Sequence, residues 1–232
     1  MTTPAAPTPP DLLDVWPMAG LVVRQGDLEL RYLDDELVHE LALLAAQGIH
    51  DPGFMPFTFP WSVGEPTAVA RSVLAYQWGA RSRLSPESWT MELAIVRGGR
   101  VLGVQSIFAT DFVVRREAET GSWLGRAHQG QGIGTRTRLM MLGLGFDGLG
   151  ALGMTTAAWV DNASSLSVTR KVGYRENGRG WLERGGERTA EQRFRLERGD
   201  WEAGLPTLDA LVAQHGPIEL EGVERVRAFL GL

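Results

Sequence analysis

Residues 129 to 135 read Gln-Gly-Gln-Gly-Ile-Gly-Thr. This run limits the fold more than any other because it stands between a segment of strand character and one of helical character. Glycine reaches positive φ and carries no Cβ, so the backbone N–H groups of such a turn can be aimed at a ligand. The start of the following helix then favours an anion. The plain alternative is a glycine turn without chemistry. Two familiar nucleotide loops do not fit. The glycines follow G-x-G-x-G rather than G-x-G-x-x-G, several strands precede them, and neither Asp147 nor Asp161 falls at the distance of a ribose-binding acid. A P-loop needs Gly-Lys-Ser/Thr, which is absent.

The chain around the loop alternates strand and helix signals. Asp27 to Leu33 has period-two hydrophobicity and reads as a strand. Asp34 or Asp35 can cap a helix that carries Leu37, Leu41, Leu44 and Ala45 and stops at Gly48. Residues 50 to 61, HDPGFMPFTFPW, suit neither regular helix nor central strand and read as a loop with a large apolar load. Pro66 fits the first turn of a second helix, with Val69, Val73, Leu74 and Trp78 as its apolar stripe. Trp89 to Val96 and Val101 to Ala109 flank Arg97-Gly98-Gly99-Arg100, a hairpin signal. A strand at Glu119 to Gly125, a helix at Thr135 to Leu149, a strand at Met154 to Val160 and a helix at Ala163 to Lys171 follow. Two last strands bracket Gly185-Gly186. The pattern predicts an α/β (α+β) fold, a mixed and mostly antiparallel sheet of about six or seven strands flanked by helices. The expected division is a flexible extension over 1–20, one domain over 21–201, and a C-terminal extension over 202–232 that packs on the domain or on a partner subunit.

Composition removes several functions. The net charge is -5 and the basic residues are scattered, so nucleic acid is not an expected partner. There is no cysteine, hence no disulfide and no thiol nucleophile, and the four histidines, His39, His50, His128 and His215, lack metal-ligand spacing. No metal is expected. Met1 to Pro10 has neither the basic nor the apolar part of a signal peptide, and Leu139 to Met154 is too short and too interrupted to cross a bilayer. A cytoplasmic protein without membrane contact is the expectation.

Three motifs in order resemble the GNAT acetyltransferases, in their RimJ/RimL-like branch, over Leu28 to Trp201. Gln129 to Gly134 fits Q/R-x-x-G-x-G/A. Ala118-Glu119-Thr120-Gly121-Ser122-Trp123-Leu124 is similar to that branch's A-E-x-G-x-W-L strand. Val160-Asp161-Asn162-Ala163-Ser164-Ser165, then Arg170-Lys171-Val172-Gly173-Tyr174, is similar to its D-N-x-x-S helix ending in K-L-G-F/Y. The aromatic loop resembles that of a group of actinobacterial members, one of which is a succinyltransferase.

The resemblance implies a GNAT fold with a splayed central strand pair, and transfer of an acyl group, acetyl first, from acyl-CoA directly to a primary amine of a protein or small molecule. Succinyl-CoA as donor is the alternative within enzymes, and a non-catalytic acyl-CoA sensor the alternative outside them. A homodimer or higher homo-oligomer is expected. The backbone of Gln129, Gly130, Gln131, Gly132, Ile133, Gly134 and Thr135 should hold the pyrophosphate, and Trp123 and Leu124 should pair with pantetheine. Asn162 and Ser165 should touch the same arm, and Arg126, Lys171 and His128 should approach the phosphates. Glu119 is the expected base, with Glu92, Asp111 and His50 in reserve, and Ser165 the expected acid toward the thiolate. Thr169 stands where many relatives carry tyrosine. His50, Phe54, Met55, Phe57, Phe59 and Trp61 are the candidate lining of the acceptor or acyl pocket, since loops on a rigid scaffold carry recognition. A succinyl carboxylate would need a cation, for which Arg24, Arg71, Arg81 and Arg83 are candidates.

Overall fold

The computed structural model describes residues 9–232. Strand β1 (Val22–Gln25) turns at Gly26, whose φ is +53°, into β2 (Leu28–Tyr32). Before them lie the short helix α1 (Leu12–Val15) and a 3-10 turn (Pro17–Gly20). Within the span expected to be a tail, Met18 is buried and Trp16 packs edge-on to Tyr32 and Phe229 at 6.4 Å each. Burying a side chain of that size is worth roughly 1.5–3 kcal/mol.

Helix α2 (Asp35–Ala46) begins where the Asp34 side chain accepts from the Leu37 N–H at 2.8 Å, which settles the cap on Asp34 rather than Asp35. Helix α3 (Pro66–Ser82) starts on its proline. It buries Val69, Val73, Gln77 and Ala80, whereas Trp78, expected on the apolar stripe, is exposed. Strands β3 (Ser88–Arg97) and β4 (Arg100–Thr110) form the hairpin around Gly98-Gly99. After α4 (Phe112–Arg115) come β5 (Glu117–Leu124) and α5 (Ile133–Gly143), the latter passing into a π-helical turn at Leu144–Gly148. Next are β6 (Gly153–Trp159), α6 (Ala163–Lys171), β7 (Arg175–Arg184) and β8 (Glu187–Glu197). The chain closes with α7 (Arg198–Glu202), α8 (Pro206–His215), β9 (Glu219–Glu221) and α9 (Val223–Leu230).

Among the described residues the sheet has nine strands in the order β7-β8-β6-β5-β4-β3-β2-β1-β9. That exceeds the expected six or seven because β1 and β9 are short and carry no hairpin signal of the strength of Gly98-Gly99. Strand β9 pairs with β1, and Val226 and Leu230 of α9 enter the core, so the C-terminal segment completes one edge of the sheet. Helices α2 and α3 cover one face against Ala94, Val96, Val101 and Val104. Helices α5, α6 and α9 cover the other against Met91, Leu93, Ile95 and Ile107. Alternate residues of β3 thus serve opposite layers, as the pleat requires.

One pair differs from the rest. Strands β5 and β6 run parallel and pair only over Glu117–Gly153, Ala118–Met154 and Glu119–Thr155. Beyond that point β5 stays with β4 as far as Leu124, and β6 stays with β8 as far as Trp159. The two strands therefore part in the middle of the sheet.

Candidate functional site

The parting of β5 and β6 leaves one edge of β5 without a strand neighbour from Thr120 to Leu124. Carbonyls two residues apart share an edge. The Thr120 carbonyl accepts from Thr156 Oγ1 at 2.9 Å and the Leu124 carbonyl from Gln129 Nε2 at 2.9 Å. Between them stands Ser122, which is exposed. An extended ligand laid in the slot would find the backbone of Ser122 ready to pair as a strand would.

The slot runs into the glycine loop. Gly130 and Gly132 adopt φ of +71° and +78°, and a Cβ at either would meet nothing within 4 Å, so the space over them is open. Gly132 caps α5, and the first helical bond is Arg136 N–H to the Gly132 carbonyl at 3.1 Å. The N–H groups of Ile133, Gly134 and Thr135 precede that bond and have no acceptor within the helix. Ile133 and Thr135 bury their side chains, which turns the helix so that backbone, not side chain, meets the opening. Gln129 braces the loop by donating also to the Ile49 carbonyl at 2.7 Å, and Gln131 donates to the Ala127 carbonyl at 2.8 Å. The cradle fits a pyrophosphate: unspent amides, a helix start and no obstructing Cβ. Arg126 at its rim pairs with Asp51 at 2.9 Å, while Lys171 is exposed at the end of α6 and makes no ion pair among the described residues. His128 lies in the short 3-10 turn before Gln129.

On the face covered by α2 and α3, Glu119 stands beside the point where the strands part. Burial pushes its carboxyl above the ordinary range, the neighbouring Glu191 adds to the rise, and Arg193 opposes it. A carboxylate tuned in this direction is a stronger base than an ordinary one. Gly121, next on the same face, would carry a Cβ no nearer than 3.9 Å to Ser106, so there is room above the sheet beside Glu119. Glu92 is buried behind Ser106 and accepts from Ser106 Oγ at 2.8 Å and Tyr76 OH at 3.0 Å, and burial pushes its carboxyl up as well. Asp111 lies past the end of β4, at the closed end of the β5–β6 pair.

The aromatic loop folds over this face. Phe57 contacts His50 and Trp61 with ring centroids 6.0 and 5.0 Å apart, and Trp61 meets Trp123 of β5 at 5.7 Å. His50 is engaged by Ser62 Oγ at 2.7 Å and the Asp51 carbonyl at 2.9 Å, a staple across the loop. Phe54 and Met55 turn instead to the β7–β8 hairpin. Arg184 lies over Phe54 and over Trp159, at 5.9 and 4.8 Å, donates to the Met55 carbonyl, and forks onto Asp161. Phe59 is 74% exposed and lines nothing. The candidate pocket residues therefore divide into an inner cluster on Trp123, a pair clasped by Arg184, and one ring in solvent.

Across the slot, Asn162 caps α6 by accepting from the Ser165 N–H at 3.1 Å. Ser165 is partly buried, and its hydroxyl is not spent on that cap. If the hydroxyl acts on a leaving group, Ser165→Ala is expected to lower turnover several-fold with donor affinity unchanged, because such help is felt mainly in the transition state. Steady-state kinetics with calorimetry of donor binding reads both, and equal turnover would leave Ser165 a helix residue.

Sequence reasoning missed Arg138, Arg184, Glu191 and Arg193. Arg138 lies on a helix whose apolar periodicity gives no reason to expect a buried charge, and the others sit in a hairpin that reads as solvated. The cations named for a donor carboxylate lie on β1, on α3 and at the C-terminal end of α3. Arg24 pairs with Glu29 and Glu221 at the β1–β9 edge, Arg81 with Asp35, Arg83 sits against Gly79, and Arg71 is exposed on α3.

Comparison with known proteins agrees with this arrangement. Residues 27–175 match the family model described as acetyltransferase (GNAT) domain. Among solved structures, RimJ of Mycobacterium smegmatis in complex with CoA-disulfide superposes with a TM-score of 0.67 at 23% identity, covering 88% of this chain and 97% of that one. A GCN5-related N-acetyltransferase from Brucella melitensis gives 0.65 at 19%, covering 83% and 84%. The microcin C7 self-immunity acetyltransferase, in complex with acetyl-CoA and AMP, gives 0.60 at 20%, covering 74% and 92%. At these identities the shared property is the fold.

Proposed function

Because this chain belongs to the GNAT acetyltransferase domain family, we propose that it is an acyl-CoA-dependent N-acyltransferase working in the β5–β6 slot, with acetyl as the first expected acyl group. The observation that carries the reading is the continuity of three features: the amide cradle at Gly130–Thr135, the free β5 edge at Ser122, and Glu119 at the point where the strands part. The cradle holds the pyrophosphate, with Arg126 and Lys171 near the phosphates. The β5 edge fixes the pantetheine arm and hence the thioester carbonyl. Asn162 and Ser165 close the far side of the arm.

The acceptor enters from the α2–α3 face, over Gly121 and under Trp61 and Trp123. Glu119 faces this entrance, with Glu191 beside it paired to Arg193, and its carboxylate suits an amine arriving as its ammonium form. Glu119 takes the proton, and the neutral amine attacks the thioester carbon. No side chain needs to become acylated, so a chain without cysteine loses nothing. The aromatic cluster keeps water from the thioester and shapes the pocket for the acceptor. A cytoplasmic homo-oligomer is the proposed setting.

The test is turnover and calorimetric binding with acetyl-CoA and succinyl-CoA in parallel, each against a terminal peptide amine, a lysine side chain and a small polyamine. The expected result is amide formation with acetyl-CoA and at least one amine class. Faster transfer of succinyl would change the donor, and tight binding without transfer to any amine would support an acyl-CoA sensor.

A further inference from the structure

Arg138 lies inside the molecule at the point where β5 and β6 separate. It is 4% exposed. Its guanidinium donates to Ser122 Oγ on β5 at 2.9 Å and to Thr156 Oγ1 on β6 at 3.2 Å, so it spans the floor of the slot from one strand to the other. Both partners are neutral hydroxyls. Among the described residues Arg138 joins no salt bridge, and its buried Nε has no partner. Arg136, two residues earlier, is also buried and its Nε is likewise without a partner, but it differs in being paired with Asp27 at 2.6 Å. A buried cation left without an anion is costly, and an anion arriving beside it would lower that cost.

The slot says which anion. From Leu124 back to Thr120 the strand covers roughly 13 Å, a length of the order of an extended pantetheine arm. An arm anchored at the glycine loop brings its sulfur to the apex at Thr120 and Thr156, over Arg138. We propose that Arg138 is the leaving-group residue of this acyltransferase, receiving the coenzyme A thiolate as an ion pair on the side of the sheet opposite Glu119. The balance is simple. One ammonium proton leaves on Glu119 before attack. The amine nitrogen then forms the new bond to the acyl carbon, and the C–S bond breaks with its electron pair remaining on sulfur. The second proton that the nitrogen sheds as the amide forms passes to solvent. The thiolate pairs with Arg138 until it departs or is protonated by solvent.

Burial pulls the Arg138 guanidinium below its ordinary value and Tyr174 opposes the fall, and none of the side chains that bond it carries a compensating charge. Tyr174, which follows α6, shares a 3.1 Å hydrogen bond with Thr120 Oγ1 and stands beside the guanidinium. Burial pushes its phenol up, so it remains a neutral hydroxyl through the working range. From β4, Gln105 faces α5 and is neutral, with its amide at Thr137. On β5 the charged neighbour is Glu119, on the opposite face. The site also explains how a chain with Thr169 in place of a phenol can release its thiolate: a fixed cation lowers the thiol pKa, where a proton donor would instead protonate sulfur.

This inference rests on the acyl-CoA reading, and the experiment separates the two. The full chain is titrated calorimetrically with coenzyme A and with desulfo-coenzyme A from mildly acidic to alkaline pH, and the thiolate absorbance of bound coenzyme A is followed over the same range. An alkyl thiol titrates near about 8.5, and each unit of lowering in the site should appear as roughly a tenfold gain of coenzyme A over its desulfo analogue at alkaline pH. Arg138→Met is expected to remove that gain while desulfo-coenzyme A binds as before, and Arg138→Lys to keep part of it. Equal and pH-independent affinities in the wild type overturn the assignment without any variant, so a poorly folding Arg138→Met does not shelter it. A gain that survives in Arg138→Met overturns it too. If Arg138 served a carboxylate on the acyl group instead, the wild-type ratio would be flat. Failure of both ligands to bind would overturn the acyl-CoA reading and this inference with it.

Discussion

Gly134→Glu is expected to weaken coenzyme A binding by roughly a hundredfold or more while the protein folds as well as before. The new carboxylate would stand at the first turn of α5, where the unspent amides face the anion. Two like charges about 4 Å apart cost roughly 4 kcal/mol at an effective dielectric of 20, and partial exposure reduces that figure without erasing it. The fold has reason to tolerate the change. A Cβ at Gly134 meets only Leu124 Cδ1, at 3.7 Å, and the residue is helical without a positive φ. Replacing glycine in a helix and placing an acid in its first turn each favour the helix by roughly 0.5–1 kcal/mol. Thermal unfolding should therefore show an equal or higher midpoint, and calorimetry a lost ligand. Gly132→Glu would confuse the two effects, because φ is +78° there and any side chain is strained. Undiminished coenzyme A binding in well-folded Gly134→Glu would remove the loop from the site.

Glu119→Gln is expected to lower the rate of acyl transfer by about a hundredfold at neutral pH, or about 3 kcal/mol. Gln keeps the shape but cannot accept the ammonium proton. In the wild type, Glu119 is held above the ordinary carboxylate range, chiefly by burial, so the rate should climb as pH rises through that raised value and then level. The variant should lose this limb and gain another at higher pH, following the fraction of amine already neutral. Single-turnover transfer at saturating donor, from mildly acidic to alkaline pH, separates the profiles. Parallel profiles offset by less than about threefold would be too small for a lost base, and Glu92, buried behind Ser106, would be the next group to test.

What the sequence disclosed follows from the range of each interaction. The α2 cap, at one of the two positions the sequence offered, the Gly98-Gly99 hairpin and the bounds of α6 are local, set by residues within a few positions of one another, and they stand as read. The glycine turn is present but gives way to α5 at Ile133, two residues before the predicted Thr135. Strand β1 was illegible because it is short, and β9 because it is three residues long and exists through pairing with β1, nearly 200 residues away. Trp78 was misplaced for a related reason. Helical spacing says which residues share a face, but not how far round the stripe the neighbouring α2 extends. The site was half legible. Glycines in the loop are needed locally, so their pattern survives in sequence. Glu119 carried a motif, but its tuning comes from burial in the folded molecule and, after that, from Glu191 on β8, brought near only by the sheet order. Arg138 gave no signal at all, since a cation on an apolar helix reads as a surface residue until the strands above it are seen to part.

The most direct measurement follows thiol release and amide formation together, with acetyl-CoA and a primary amine in excess over the wild-type enzyme. Free coenzyme A is read by a thiol reagent and the acylated amine by mass. Direct transfer predicts the two products in equal amounts over many turnovers, with no acylated enzyme at any time. Thiol release without amide, a stable acylated side chain, or tight donor binding with neither product would contradict acyl transfer in the β5–β6 slot.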